Sequence, residues 1–339
     1  MLTNKLTTLK AIEDKILLHG RCLFDKDALY MSWSASGFSM RFVGTAISFS
    51  FLPYPSDAES TSNDERAVAV KLEVDGTPTK ASISGAHSVV FADGLSDGEH
   101  TLRLLKISES DHPIGIGEVQ IVGECPEVLD LKKDYSFKLE VIGDSITCGY
   151  GAFGSRNTFY FFEEDATAAY AFMVGEHFGA DTRLISWSGR GISKAWNGDC
   201  DNRFIDFYKR NMRMESYGAH DFDSWKADVV VINAGTNDEG RAKVPPEEFE
   251  EKLTEFYNFV RSVYPHAKIV FFYGAMRVGF IPTYEALIPK LRENDKQVYF
   301  YKTAPIDATK NEVGANGHPS YIGQKRLADE LISALNEII

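Results

Sequence analysis

The chain has no apolar run long enough to cross a membrane. It also has none of signal-peptide length near its start, where Met1-Leu2-Thr3-Asn4-Lys5-Leu6-Thr7 is soon followed by Glu13 and Asp14. These absences predict no membrane partner and a cytoplasmic location. Cysteine is scarce: Cys22, Cys125, Cys148 and Cys200 are far apart and form no C-x-x-C pair. They read as unpaired thiols rather than as a disulfide framework. Positive charge is in deficit, with Lys+Arg 36 against Asp+Glu 49 and a net −13. That balance argues against nucleic acid or an anionic membrane as partner and suits a neutral ligand such as a sugar. Internal repeats and low-complexity linkers are missing too. What is present is globular: 44% apolar and 12% aromatic residues in a chain of 339, more than one core usually supports, so two domains are predicted.

The patterning changes near residue 130. Before it, short alternating runs are separated by turn residues. Thr45 to Phe51 puts Ile47, Phe49 and Phe51 on one face, and Arg66 to Val74 stops at Asp75-Gly76, a hairpin signal. Thr101–Lys106 and Gly117–Val122 continue the theme, so residues 1–132 are predicted to form an all-β sandwich of jelly-roll type, with one short opening helix at Leu9–Leu18. From about 135, strands alternate with helical patterns. Strands are expected at Lys138–Ile142, Arg183–Trp187, Asp228–Asn233, Lys268–Tyr273 and Gln297–Tyr301, with helices at about 166–178, 247–263, 284–293 and 320–338. Such alternation predicts an α/β/α domain over 133–339 with a five-stranded parallel sheet. Asp130–Asp134 is the expected boundary.

Ligands of such sheets bind outside the carboxyl ends of the strands. Four features fall there: Ser145 after the first strand, Gly189 after the second, Asn237 after the third and His318 after the last. A serine hydroxyl needs a base to become a nucleophile, most often histidine. The tetrahedral intermediate it forms needs donors aimed at its oxyanion. Ser145 and His318 are therefore the candidate catalytic pair. The Ser145 N–H, the Gly189 N–H and the Asn237 amide are the candidate oxyanion hole. Gly143-x-Ser145-x-Thr147 is not the G-x-S-x-G nucleophile elbow, because Thr147 replaces its second glycine.

Taken together, GDSIT around Ser145, SWSGRGI around Gly189, INAGTNDE around Asn237 and NGHPS around His318 resemble the SGNH (GDSL-like) hydrolase superfamily. HGR (His19–Arg21), FVGTAISF (Phe42–Phe49), VDG (Val74–Gly76) and HTLRLLK (His100–Lys106) extend the resemblance to carbohydrate esterase family 2, over nearly the whole chain. The resemblance implies an esterase that removes O-acetyl groups from xylan- or glucomannan-type oligosaccharides through a serine acetyl-enzyme, without cofactor or metal. Two other readings stand beside it: a non-catalytic carbohydrate-binding protein, and a lipase or thioesterase on the same fold. The expected partner is an acetylated oligosaccharide, and homo-oligomer formation is left open. Where SGNH enzymes usually carry an aspartate three residues before the histidine, this chain has Ala315. A Ser–His dyad is therefore expected, its ring held by a backbone carbonyl, by Asn316 or by a carboxylate such as Glu312.

The remaining signals are local. Asp144 is expected to bond backbone in its turn, and Asp238 to close an Asx-turn. Asn197–Asn202 is rich in oxygen ligands but lacks EF-hand spacing, so it reads as a solvated loop. Aromatics crowd the segment from Tyr150 through Phe153 and Phe159 to Phe162. Sugar faces pack well on such rings, which makes Trp196 and Tyr150 the candidate substrate contacts.

Overall fold

The computed structural model describes residues 2–52, 68–83, 87–109, 113–155, 157, 159–241 and 243–339. It divides into two compact units: Met1–Asp134 with Asn211–Gly218, and Tyr135–Arg210 with Ala219–Ile339. Among the described residues, no helix is long and apolar enough to cross a membrane.

The first unit is a sandwich of two antiparallel sheets. Its strands are β1 (Thr3–Thr8), β2 (Leu17–His19), β3 (Cys22–Asp25), β4 (Ala28–Met31), β5 (Gly37–Gly44), β6 (Ala46–Leu52), β7 (Val68–Val74), β8 (Thr77–Ile83), β9 (His87–Ala92), β10 (Gly98–Lys106), β11 (Ile114–Gly123) and β12 (Glu127–Leu129). One sheet runs β3-β4-β11-β6-β9, with β1 also on β11. The other runs β12-β5-β10-β7-β8, with β2 also on β5. The two-residue period decides which faces meet. Phe38, Met40 and Phe42 of β5 and Ile47, Phe49 and Phe51 of β6 are all buried, while the residues between them are not fully covered. Phe38 and Phe49 meet edge to face at 5.7 Å. Asp75 and Gly76 form the expected tight turn, with φ of 49° and 79° and Val74 paired to Thr77. Both positive angles fit a type I′ hairpin. Arg66 and Ala67, read as the start of β7, lie outside the described residues.

The opening helix expected at Leu9–Leu18 is not an α-helix. A 3-10 turn spans Lys10–Lys15, broken at Ile12 (φ −123°), and β2 begins at Leu17. Leu9, Ile12 and Ile16 are buried in the sandwich core, so tertiary packing overrides a weak helical pattern. The segment Asn211–Gly218, read as part of the second domain, groups with this unit. The Trp33 indole donates to the Asn211 carbonyl at 2.8 Å, the Arg213 N–H donates to Ser32 Oγ at 3.0 Å, and the Arg213 guanidinium pairs with Glu109.

The second unit holds five parallel strands, β13 (Lys138–Gly143), β14 (Asp181–Ser186), β15 (Val229–Ile232), β16 (Lys268–Tyr273) and β17 (Val298–Lys302), in the order β14-β13-β15-β16-β17. Covered on both faces, the central strands read as continuous apolar runs, and all of Val229–Ile232 is buried. The helices are α1 (Ser145–Cys148), α2 (Tyr170–Phe178), α3 (Phe204–Tyr208), α4 (Pro246–Val263), α5 (Ile281–Asn294) and α6 (Tyr321–Asn336). α4 starts at the expected proline and buries Phe249, Leu253, Phe256 and Val260 at i, i+4, i+7 and i+11. The two short helices α1 and α3 are too brief to show a helical period in the sequence. Strand order reverses beside β13, which lies between β14 and β15. That topological switch point is where ligands of such sheets bind.

Candidate active site

Ser145 is the first residue of α1, immediately past β13, and its side chain is almost fully buried. The local sequence explains the turn. Asp144 caps the helix: its Oδ1 accepts the Ile146 N–H at 3.0 Å. Thr147 folds back over Gly143, where a Cβ would meet Thr147 Oγ1 at 2.0 Å, so only glycine fits. Asp144 thus bonds backbone, as expected, and its other oxygen accepts Asn237 Nδ2 at 3.1 Å.

His318 Nε2 lies 2.8 Å from Ser145 Oγ, although 173 residues separate them in the chain. Hydrogen bonds from the histidine loop and from α6 tie them to the nucleophile segment and to α2. The Ala315 N–H donates to the Gly151 carbonyl at 3.2 Å, and the Tyr321 N–H to the Ala152 carbonyl at 2.8 Å. Gln324 of α6, which is fully buried, adds two more: its Nε2 donates to the Ile146 carbonyl and its Oε1 accepts the Tyr170 N–H, both at 2.9 Å. Gln324 was not read from the sequence; nothing in its spacing marks it out. Ala315 is sealed against Gly151 and Gly154, where added Cβ atoms would come within 2.5 Å and 2.7 Å of its methyl. Neither side chain expected to hold the ring is directed to it. Asn316 Nδ2 donates to Tyr150 Oη at 3.1 Å, while Glu312 accepts the Asp307 N–H at 2.8 Å and pairs with Arg326 at 3.1 Å.

On the oxyanion side, the N–H groups of Ser145 and Gly189 donate no hydrogen bond among the described residues. Two unspent donors beside a serine hydroxyl are what a developing oxyanion requires. Asn237 is different: its Nδ2 donates to the Arg190 carbonyl at 2.8 Å as well as to Asp144. Both amide protons are committed in this state, so Asn237 reaches an oxyanion only by releasing or sharing one. Asp238 does not close an Asx-turn. Its buried carboxylate accepts the N–H groups of Ile192, Ser193 and Lys194 at 2.7–3.1 Å, so it shapes the loop after Gly189. Burial raises its pKa, and those three bonds work against the rise.

Trp196 is 47% exposed, with its Cδ1 2.8 Å from where a Gly189 Cβ would lie and the Arg241 guanidinium 4.9 Å from its ring. Tyr150 instead packs against His318, with centroids 4.4 Å apart. Phe153, Tyr160 and Phe162 are exposed on the same segment. In Asn197–Asn202, Asn197 Oδ1 accepts the Asp199 N–H at 3.1 Å and Asp199 Oδ1 the Asp201 N–H at 2.9 Å, while Asn202 Oδ1 accepts the Arg210 guanidinium at 2.7 Å, so these oxygens are spent on the protein.

A parallel sheet in this order, carrying serine, glycine, asparagine and histidine at one rim, is the arrangement of the SGNH hydrolases. The chain belongs to the GDSL-like Lipase/Acylhydrolase family, which it matches over residues 141–326. Residues 18–125 match the carbohydrate esterase 2 N-terminal family, so the two units together are those of a carbohydrate esterase family 2 SGNH protein. Cellulase/esterase CelE of Acetivibrio thermocellus is 30% identical over 94% of this chain, which spans 39% of that protein's length. An acetylxylan esterase / glucomannan deacetylase of Cellvibrio japonicus is 25% identical over 72% of this chain and 68% of its own. The structure of a family two carbohydrate esterase from Clostridium thermocellum in complex with cellohexaose matches with a TM-score of 0.84 at 27% identity, covering 95% of this chain and 98% of that one.

Proposed function

We propose that the protein is a carbohydrate O-acetylesterase, removing acetyl groups from xylan- or glucomannan-derived oligosaccharides with Ser145 and His318 as its catalytic dyad. The observation that carries this reading is the 2.8 Å Ser145–His318 hydrogen bond beside the unspent N–H groups of Ser145 and Gly189. The names of the relatives support the substrate class.

The reaction proceeds through an acetyl-enzyme. Ser145 Oγ bonds to the acetyl carbonyl carbon as its proton passes to His318 Nε2, and the carbonyl π pair moves onto oxygen. The N–H groups of Ser145 and Gly189 receive that oxyanion, joined by the Asn237 amide once it releases the Arg190 carbonyl. When the tetrahedral intermediate collapses, the bond to the sugar oxygen breaks and His318 returns its proton to that oxygen. Water then enters, giving a proton to His318 as its oxygen bonds to the acetyl carbon; when this second intermediate collapses, the bond to Ser145 Oγ breaks, His318 returns the proton to Oγ, and acetic acid leaves. No step calls on a cofactor.

The test is acetate release from acetylated xylo- and manno-oligosaccharides by the wild type and Ser145→Ala, with the deacetylated position located by NMR. Loss of release in Ser145→Ala is the expected result. Equal release would remove the mechanism. Binding of the sugars without release by the wild type would make the protein a binder, and faster turnover of long acyl chains than of acetate would make it a lipase.

A further inference from the structure

Ala315 holds the His318 backbone, its carbonyl accepting the His318 N–H at 2.9 Å, but it carries no carboxylate for the ring. Tyr150 packs directly against that ring. Its centroid lies 4.4 Å from that of His318, with the planes inclined by 42°. Phe159 stacks on Tyr150 at 3.8 Å and 7°. A ring stacked that closely occupies one face, and 4.4 Å is too short for an edge contact, so the imidazole lies on the other face. Tyr150 is fixed in three further ways. Its N–H donates to the Ser145 carbonyl at 3.1 Å, its hydroxyl accepts the Asn316 amide at 3.1 Å, and Gly149 and Gly151 on either side adopt the left-handed backbone, with φ of 79° and 62°.

We propose that Tyr150 is the positioning residue of His318: its ring face fixes the imidazole and stabilises the imidazolium formed when Ser145 gives up its proton. The inference rests on the Ser145–His318 reading above. A cation within about 6 Å of an aromatic centroid is attracted to the ring face, by about 0.5–2 kcal/mol depending on exposure. The interaction strengthens as the ring becomes charged, so it favours the transition state over the resting state. It also has a term to oppose, because His318 lies two residues before the Ser320 cap of α6, where the positive end of the helix dipole disfavours a cation. An aspartate at 315 is not a ready alternative. The position is fully buried, so a carboxylate added there would have to be desolvated.

Other ionisable groups on the segments that carry Ser145 and His318 are Asp144 before α1, Cys148 within it, Glu312 with its Arg326 partner and Lys325 in the first turns of α6, with Glu163 beside Gly154. None changes on substituting Tyr150, so a difference between variants isolates the ring. The experiment is the pH–rate profile for p-nitrophenyl acetate with wild type, Tyr150→Leu, Tyr150→Phe and Ser145→Ala. Tyr150→Leu is expected to lose about tenfold in kcat, inside the roughly 2- to 30-fold range of a cation–π contact, with KM unchanged within about twofold. Its acid limb moves to lower pH, because an imidazolium without its support loses its proton more readily. Tyr150→Phe keeps the ring, returns the rate to within about threefold of wild type and restores the acid limb. An unmoved acid limb in Tyr150→Leu, or equal damage in Tyr150→Phe, overturns the proposal while leaving the dyad standing. Undiminished turnover by Ser145→Ala removes the dyad itself. Should Tyr150→Leu fold poorly, Tyr150→Met makes the same comparison.

Discussion

Gln324 offers the sharpest test of how the site is held together. It is fully buried in α6, and its amide joins two backbone groups from other elements, the Ile146 carbonyl and the Tyr170 N–H, each at 2.9 Å. Replacing it with methionine keeps the length and removes both partners. The Tyr170 N–H is left orphaned, at about 1–3 kcal/mol, while the Ile146 carbonyl keeps the Gly149 N–H at 3.4 Å and loses one net hydrogen bond of about 0.5–1.5 kcal/mol, so the loss is roughly 1.5–4.5 kcal/mol. For a unit of this size each kcal/mol lowers the melting temperature by about 2–4 °C, so the midpoint should fall by at least about 3 °C. The assay is thermal unfolding followed by circular dichroism, alongside kcat on p-nitrophenyl acetate. The rate should fall too, because α6 carries the end of the His318 loop. Gln324→Glu adds a control with a sign. Its ionised carboxylate still accepts the Tyr170 N–H but offers no proton to the Ile146 carbonyl, so part of the lost stability should return as the pH falls and the carboxyl protonates. A Gln324→Met midpoint within about 2 °C of wild type would refute the reasoning.

Asp144→Ala removes the α1 cap and strips Asn237 of one partner, so it should cost about 1 kcal/mol or more and reduce kcat; chemical denaturation and steady-state kinetics check both. Trp196→Ala should raise KM for acetylated oligosaccharides while leaving p-nitrophenyl acetate nearly unaffected, and equal effects on the two substrates would deny it a sugar contact. In the sandwich, buried His100 puts Nδ1 on the Asp75 carboxylate at 2.6 Å and Nε2 on the Ser96 carbonyl at 2.8 Å. Both partners accept, so the ring carries two protons. Burial opposes that charge, yet the bonds to Asp75 and Ser96 raise the His100 pKa; burial likewise opposes the ionised Asp75, whose bonds to Thr101 and His100 lower its pKa. The His100 contribution is thus complete below the ordinary histidine value and lost as pH rises through the raised one, while that of Asp75 is lost on acidification. Urea midpoints from pH 6 to 9 should fall with pH in the wild type more than in His100→Gln, and parallel curves would contradict this.

The parts legible in the sequence were those written in local pattern. The period-2 runs around Ile47 and Phe49, the apolar parallel strands and the four blocks around Ser145, Gly189, Asn237 and His318 announce themselves through spacing or glycine chemistry. The parts that were not legible are pairings between distant residues of ordinary type. Gln324 resembles any polar residue near a helix start until Ile146 and Tyr170 come to meet it. Tyr150 reads as a sugar contact because an aromatic near a nucleophile suggests one, and only the third dimension puts Phe159 and His318 on its two faces. The commitment of the Asn237 amide depends on where Arg190 directs its carbonyl, which no side-chain pattern encodes.

The excursion of Asn211–Gly218 into the first unit makes the order of synthesis matter. Trp33, Ser32 and Glu109 wait for partners that leave the ribosome about 80 residues after Asp134. At about 5–20 residues per second, the sandwich spends roughly 4–16 s translated but incomplete. A gene cut at the apparent boundary would thus yield an N-terminal fragment that never receives its last eight residues, and a C-terminal fragment carrying a segment with nowhere to dock. Although each unit has its own core, the polypeptide is inherited, and must be expressed, as one piece.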